Sequence, residues 1–197
     1  MVTRFALIRH AETEWNREKR IQGQQDASLT SLGRQQAQRW GLTLARYDLD
    51  HMMTSDLGRA NVTATLINRH LGLPCSQEPR LREQDWGSWS GLKLNDLLRM
   101  DKLRAQEKAG WHFRPLDGES RLEVFERSQQ ALVDAANCFA GKRILVVTHG
   151  GVIRCLLYRL YNRDFLPQEP PLIKPYRLHW LSWDGRGLEV DQLNVEI

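Results

Sequence analysis

Two places in this sequence put a histidine directly after a short apolar run. Phe5-Ala6-Leu7-Ile8 leads into Arg9-His10, and Ile144-Leu145-Val146-Val147 leads into Thr148-His149-Gly150-Gly151. A continuous apolar run of this length reads as a strand buried on both faces. Ligands of open α/β sheets bind at the carboxyl ends of strands. Two histidines at two such ends can therefore meet in one cleft if their strands are neighbours. Arg9 adds a planar, five-donor cation suited to phosphate oxygens. Arg59, in Ser55-Asp56-Leu57-Gly58-Arg59-Ala60, falls at a helix start, where dipole and guanidinium together favour an anion. Glu83, in Leu81-Arg82-Glu83, precedes a loop rich in tryptophan and glycine and is the carboxylate available for general acid work. Each of these residues alone has an ordinary structural explanation. Their joint placement at element ends points to chemistry on an anion.

The elements that must position them alternate in type. Strands are expected over Phe5–Ile8, His51–Thr54, about Cys75–Glu78 and Arg143–Thr148. Thr30 is a plausible N-cap for a helix reaching about Tyr47. Ser55 or Asp56 can cap a second helix, from about Leu57 to Leu71, which Gly72-Leu73-Pro74 stops. A third helical pattern covers Leu94 to about Glu107. Ser120-Arg121-Leu122-Glu123 is a capping-box sequence ahead of the apolar series Leu122, Phe125, Leu132 and Phe139. A last helix lies near Val152–Tyr161, and Leu178–Trp183 with Leu188–Val195 form a terminal hairpin across Asp184-Gly185-Arg186-Gly187. This alternation predicts an α/β fold: a three-layer sandwich with a mainly parallel central sheet flanked by helices. The 197 residues read as a single domain, 1–197, with a helical and loop cap inserted at about 84–118.

Composition excludes several classes. Apolar residues make up 41% and charged residues 26%, the balance of an ordinary globule rather than a collagen-like, disordered or disulfide-scaffold chain. No stretch approaches the ~20 apolar residues of a spanning helix, and Met1–Trp15 has no secretory apolar segment, so no membrane is expected and the cytoplasm is the expected location. Lys and Arg number 28 against 24 Asp and Glu, a formal charge of +4. The basic residues are interleaved with acids, which speaks against nucleic acid and suits a small anionic substrate. Cys75, Cys138 and Cys155 lack metal or disulfide spacing. Cys138 and Cys155 sit in apolar helical patterns and are expected as core filler.

Ile8-Arg9-His10-Ala11-Glu12-Thr13-Glu14-Trp15-Asn16 resembles the signature of the histidine phosphatase, or phosphoglycerate mutase-like, superfamily (branch 1). The resemblance continues in register through Arg20-Ile21-Gln22-Gly23, Leu29-Thr30-Ser31-Leu32-Gly33, Ser55–Ala60, Leu81-Arg82-Glu83, Gly118-Glu119-Ser120 and Val147–Gly151. It implies that His10 is the nucleophile that takes the phosphoryl group. It implies that Arg9, Arg59 and His149 surround that group, with His149 expected as a donor, protonated beside the dianion. Asn16, Gln22, Gly23 and the backbone N–H of Gly150 would complete the substrate pocket. Glu83 would protonate the leaving oxygen and then activate water. No metal and no cofactor are implied.

The sequence also departs from that pattern. Ala11 stands where the family has glycine, which the turn tolerates unless it needs positive φ. Trp86 replaces the tyrosine of the mutase-type Glu-x-x-Tyr stretch, lysine comes one position early at Lys93, and no adjacent arginines follow between 93 and 121. These departures favour a phosphatase hydrolysing small phosphomonoesters over a mutase, with a non-catalytic phospho-ligand-binding protein as a third reading. The tryptophans Trp86, Trp89 and Trp111 are candidates for the wall on the leaving-group side. The expected partner is a small phosphorylated metabolite, and the chain is expected as a monomer or homodimer.

Overall fold

The computed structural model describes residues 1–99, 103 and 106–197. Six strands form one sheet: β1 (Thr3–Arg9), β2 (His51–Thr54), β3 (Cys75–Gln77), β4 (Arg143–Thr148), β5 (Leu178–Trp183) and β6 (Leu188–Val195). Their order is β3-β2-β4-β1-β5-β6. The first four are mutually parallel, and the terminal hairpin β5–β6 adds two antiparallel strands beside β1. The fold is thus α/β and mainly parallel, as the alternation of elements predicts.

Six helices accompany the sheet among the described residues: α1 (Glu14–Arg17), α2 (Ser31–Leu44), α3 (Gly58–Leu71), α4 (Leu94–Leu98), α5 (Arg121–Cys138) and α6 (Gly150–Leu160). Successive side chains of a strand face opposite sides, and β1 shows why the sheet needs two covers. Phe5 and Leu7, with Ile144 and Val146, pack under α5 and α6 against Val124, Leu132, Ile153 and Leu156. Ala6 and Ile8, with Leu145 and Val147, pack under α2 and α3 against Ala37, Trp40, Ala64 and Ile67. A third cluster, Trp89, Leu97, Leu103 and Phe113 with Ile21, Trp86 and Leu92 against it, lies in the 84–118 segment. No helix among the described residues is long and apolar enough to cross a membrane.

Local signals hold where the cap is local. Thr30 Oγ1 accepts from Gly33 N, and α2 ends at Leu44, short of Tyr47 because the next turn is not continued. Ser120 and Glu123 form the reciprocal capping box at the start of α5. The cap of α3 differs from expectation. Its N-cap is Leu57, whose side chain has no hydrogen-bonding group, and neither Ser55 nor Asp56 caps the helix. Asp26, from 32 residues earlier, accepts from Gly58 N at 2.6 Å and Arg59 N at 3.2 Å. Asp56 is instead paired with Arg82, and Ser55 Oγ accepts from Leu57 N. Part of the helical pattern expected over Leu94–Glu107 lies outside the described residues. Of the two cysteines expected in the core, Cys155 is buried, with its thiol pushed up to about 12 by burial. Cys138 is exposed, because it ends α5 beyond the last turn packed on the sheet.

Candidate active site

Strands β1 and β4 are hydrogen-bonded neighbours, and their register pairs Arg9 with Thr148. His10 and His149 are the next residues on each strand, so one pairing brings both imidazoles to the same sheet end. His10 N donates to Thr148 O at 2.8 Å, and the ring centroids are 5.2 Å apart.

His10 is 1% exposed. Its Nδ1 lies 2.8 Å from Ala11 O, an acceptor only, so Nδ1 carries the proton and Nε2 keeps its lone pair. Arg59 Nε points at that lone pair from 3.3 Å. Burial first, then the charges of Arg9 and Arg59, hold the His10 pKa well below 6.5. The ring is a neutral imidazole. Ala11 is absent from the residues with positive φ, which is why alanine serves at this turn.

Arg59 is 3% exposed and held on every side. Nη1 donates to Gln25 O and to Asp26 Oδ1, and Nη2 donates to Gly23 O at 2.7 Å. Gly23 has φ +54°, and a Cβ there would meet Ser90 Oγ at 2.6 Å. The Gln22–Asp26 loop therefore serves the cation before it serves any ligand.

His149 stands beside His10 at the same sheet end. It is fully buried, and burial together with Arg59, His10 and Arg9 holds its pKa well below 6.5. Its Nε2 lies 2.8 Å from Ser55 Oγ. With the hydroxyl donating to Nε2, the ring proton sits on Nδ1, which has no partner.

Glu83 is carried by the turn after the short 3₁₀ segment Pro79–Leu81. Its carboxylate accepts from Gln84 N at 2.8 Å and from Gly151 N, in the first turn of α6, at 3.0 Å. The backbone of this turn is clamped. Arg127, on α5, donates to Arg80 O and Glu83 O, and Thr148 Oγ1 donates to Leu81 O at 2.8 Å.

A cavity of about 490 Å³ opens over these groups. Its walls include Arg9, His10, Asn16, Gln22, Gly23, Arg59, Glu83 and Gly150. His149 is not among the residues that line the cavity, and its ring stands beside that of His10. Asn16 Oδ1 is used by Thr13 N in the capping box of α1. Four buried side-chain polar atoms lack a partner among the described residues: Arg9 Nε, Gln22 Oε1, His149 Nδ1 and Arg143 Nε. Three of the four belong to the surroundings of His10, where buried polar groups are otherwise paired. Of the three tryptophans expected on the wall, only Trp86 lines the cavity. Trp89 is packed beneath it in the third cluster, and Trp111 packs on Phe125 and Phe165 with Nε1 on Arg163 O. No group of three His, Cys, Asp or Glu side chains that could hold a metal ion occurs among the described residues.

Three residues that position this site are given no role by the sequence reading, although Ser55 and Gly151 stand inside its motifs. Asp26 caps α3 and pairs Arg59, Ser55 meets His149, and Gly151 receives Glu83. A sequence offers no local signal for these roles, because each acts across more than 30 positions.

Comparison with known proteins gives the family and the fold. The model of the histidine phosphatase superfamily (branch 1) matches residues 5–196. A probable phosphoglycerate mutase GpmB of Salmonella arizonae is 36% identical over 160 residues, covering 77% of this chain and 71% of the relative. Among solved structures, Bacillus stearothermophilus YhfR is similar with a TM-score of 0.89 at 32% identity, covering 99% of this chain and 98% of that one. A mycobacterial glucosyl-3-phosphoglycerate phosphatase, in complex with VO3, is similar with a TM-score of 0.85 at 27% identity, over 98% and 99% of the two chains.

Proposed function

The chain belongs to branch 1 of the histidine phosphatase superfamily, and from that premise we propose that it is a phosphatase acting on small phosphomonoesters. The observation that carries the reading is the neutral His10 imidazole, whose unprotonated Nε2 faces the buried Arg59 guanidinium and accepts from its Nε. A neutral imidazole attacks phosphorus at pH 7 without an activating base. The Nε2–P bond forms as the P–O bond to the leaving group breaks. Arg9 and Arg59 neutralise the charge on the non-bridging oxygens, which is the main work phosphoryl transfer asks of a protein. The carboxyl of Glu83 gives its proton to the leaving oxygen. The resulting carboxylate takes a proton from water, whose oxygen attacks phosphorus, frees phosphate and regenerates His10.

Hydrolysis is favoured over mutase turnover by the wall opposite these cations. Trp86, Leu97, Leu103 and Phe113 make it apolar, which suits an organic leaving group better than a small, fully polar phosphoglycerate. The mutase reading is supported by the names of relatives matched in sequence. Phosphate release from p-nitrophenyl phosphate in EDTA, with loss of turnover and of ³²P labelling in His10→Ala, tests the first reading. Phosphate transfer on 3-phosphoglycerate with a bisphosphate primer, running faster than phosphate release, would replace it by the second.

A further inference from the structure

At the Phe113 and Phe165 rings the same cavity is lined by a second pair of arginines, Arg121 and Arg154. Resting on the phosphatase reading of the same cavity, we propose that this part of it is a second anion-binding subsite. The substrate it fits is a phosphomonoester with an apolar body and a carboxylate or phosphate at its far end.

Arg121 is set between two phenyl rings, its Cζ 4.2 Å from the centre of Phe113 and 4.6 Å from that of Phe165. Nη1 donates to Gly110 O and Phe165 O, while Nε and Nη2 make no hydrogen bond among the described residues. It forms no ion pair among the described residues, and neither does Arg154 beside it, which leans over the Tyr158 and Phe165 rings. Arg121 is also the first residue of α5, the helix end whose dipole disfavours a cation. Partial burial, a like charge nearby and the wrong helix end all oppose a guanidinium here. Burial and Arg154 indeed bring its pKa down to about 10. The stacked rings fix the guanidinium plane without neutralising it. Among the described residues, Glu83 and Glu107 line the cavity and Glu169 lines the adjoining hollow, and none of them forms an ion pair with either arginine. A ligand anion would supply the missing counter-charge and meet the free edge of a preoriented fork. An adjoining hollow of about 320 Å³ shares Glu107, Arg121, Arg154, Phe165 and Ile173, so the subsite has room for more than a carboxylate.

The test is calorimetric binding of two non-hydrolysable ligands, phenylphosphonate and its 4-(2-carboxyethyl) derivative, to the intact protein. The carboxylated ligand is expected to bind about tenfold more tightly, the worth of one charge-assisted pair. That ratio should collapse toward one in Arg154→Gln, an exposed position that the fold does not need, and in Arg121→Met. Arg121→Lys, which keeps charge but not the fork, should retain part of it. A ratio near one in the unaltered protein, or a ratio that survives both substitutions, overturns the subsite. Turnover of phenyl phosphate is measured alongside. Its absence with the ratio intact sinks the phosphatase reading alone, and its presence with a ratio of one sinks the subsite alone.

Discussion

The Glu83 carboxylate occupies the space that a side chain at Gly151 would fill. A Cβ at 151 would stand 2.1 Å from Glu83 Oε1, while Gly151 N holds Oε2 at 3.0 Å. The second glycine of Thr148-His149-Gly150-Gly151 is thus a seat for the carboxylate. At Gly150, by contrast, a Cβ would make ordinary contacts with the Arg9 side chain. Gly151→Ala is expected to fold normally, since alanine favours the helix and the obstructing atom is the end of a flexible side chain. Turnover of alkyl phosphates should drop by about tenfold or more. An unchanged rate would dissociate the seat from catalysis.

If Glu83 protonates the leaving oxygen, its removal matters in proportion to the basicity of that oxygen. Glu83→Gln should lower kcat/KM for an alkyl phosphate by about 10²–10⁴-fold and for p-nitrophenyl phosphate by far less. The parameter is chosen because it reports phosphoryl transfer to His10 and excludes the later hydrolysis common to both esters. Equal losses would remove the acid role from Glu83.

Asp26 joins two tasks, closing the N-terminus of α3 and orienting Arg59. Asp26→Ala is expected to cost about 1 kcal/mol of stability, the usual worth of a cap. It should also weaken inorganic phosphate binding, because Nη1 loses the carboxylate that fixes the guanidinium. Asp26→Asn retains an oxygen for the backbone donors but not the charge. It should recover most of the stability and less of the phosphate affinity, measured by urea unfolding and by calorimetry.

Several buried histidines make the protein acid-sensitive. His10 and His149 are held well below 6.5 mainly by burial, and His179 is lowered to about 4 for the same reason. As pH falls below about 6.5, the unfolded chain binds protons at these positions and the native state does not. Stability is therefore full above 6.5 and falls on acidification, each histidine contributing up to ~1.4 kcal/mol per pH unit until its own folded pKa is reached. Urea unfolding at several pH values between 7.5 and 4.5 should show the decline, and His179→Gln should make it shallower. A flat profile would mean that the rings are protonated in the native state.

Much of this site is legible before any coordinates. The apolar runs ahead of His10 and His149 announce buried strands, and Thr30 and Ser120 announce helices, because those signals act within a few residues. Gly151 was visible as a glycine, yet its reason for being one lies at Glu83, 68 positions away. The cap of α3 was misplaced onto Ser55 or Asp56 because capping is sought locally, whereas Asp26 arrives from another loop. That His149 lies fully buried near two arginines, which together lower its pKa, is likewise a property of packing and not of its neighbours in sequence. Cys138 and Cys155 share an apolar pattern, and only packing separates the exposed thiol from the buried one.

The sequence by itself determined which groups are available and that each stands at the end of a strand or helix, since hydrogen bonding, capping and apolar periodicity are short-range. Tertiary structure decided that β4 lies beside β1 with Arg9 opposite Thr148, which brings two rings from distant positions to 5.2 Å. It also decided that Arg121 and Arg154 line the same cavity as His10. Both depend on how two faces of one sheet bury their apolar side chains together, a condition satisfied by the whole chain at once and by no segment alone.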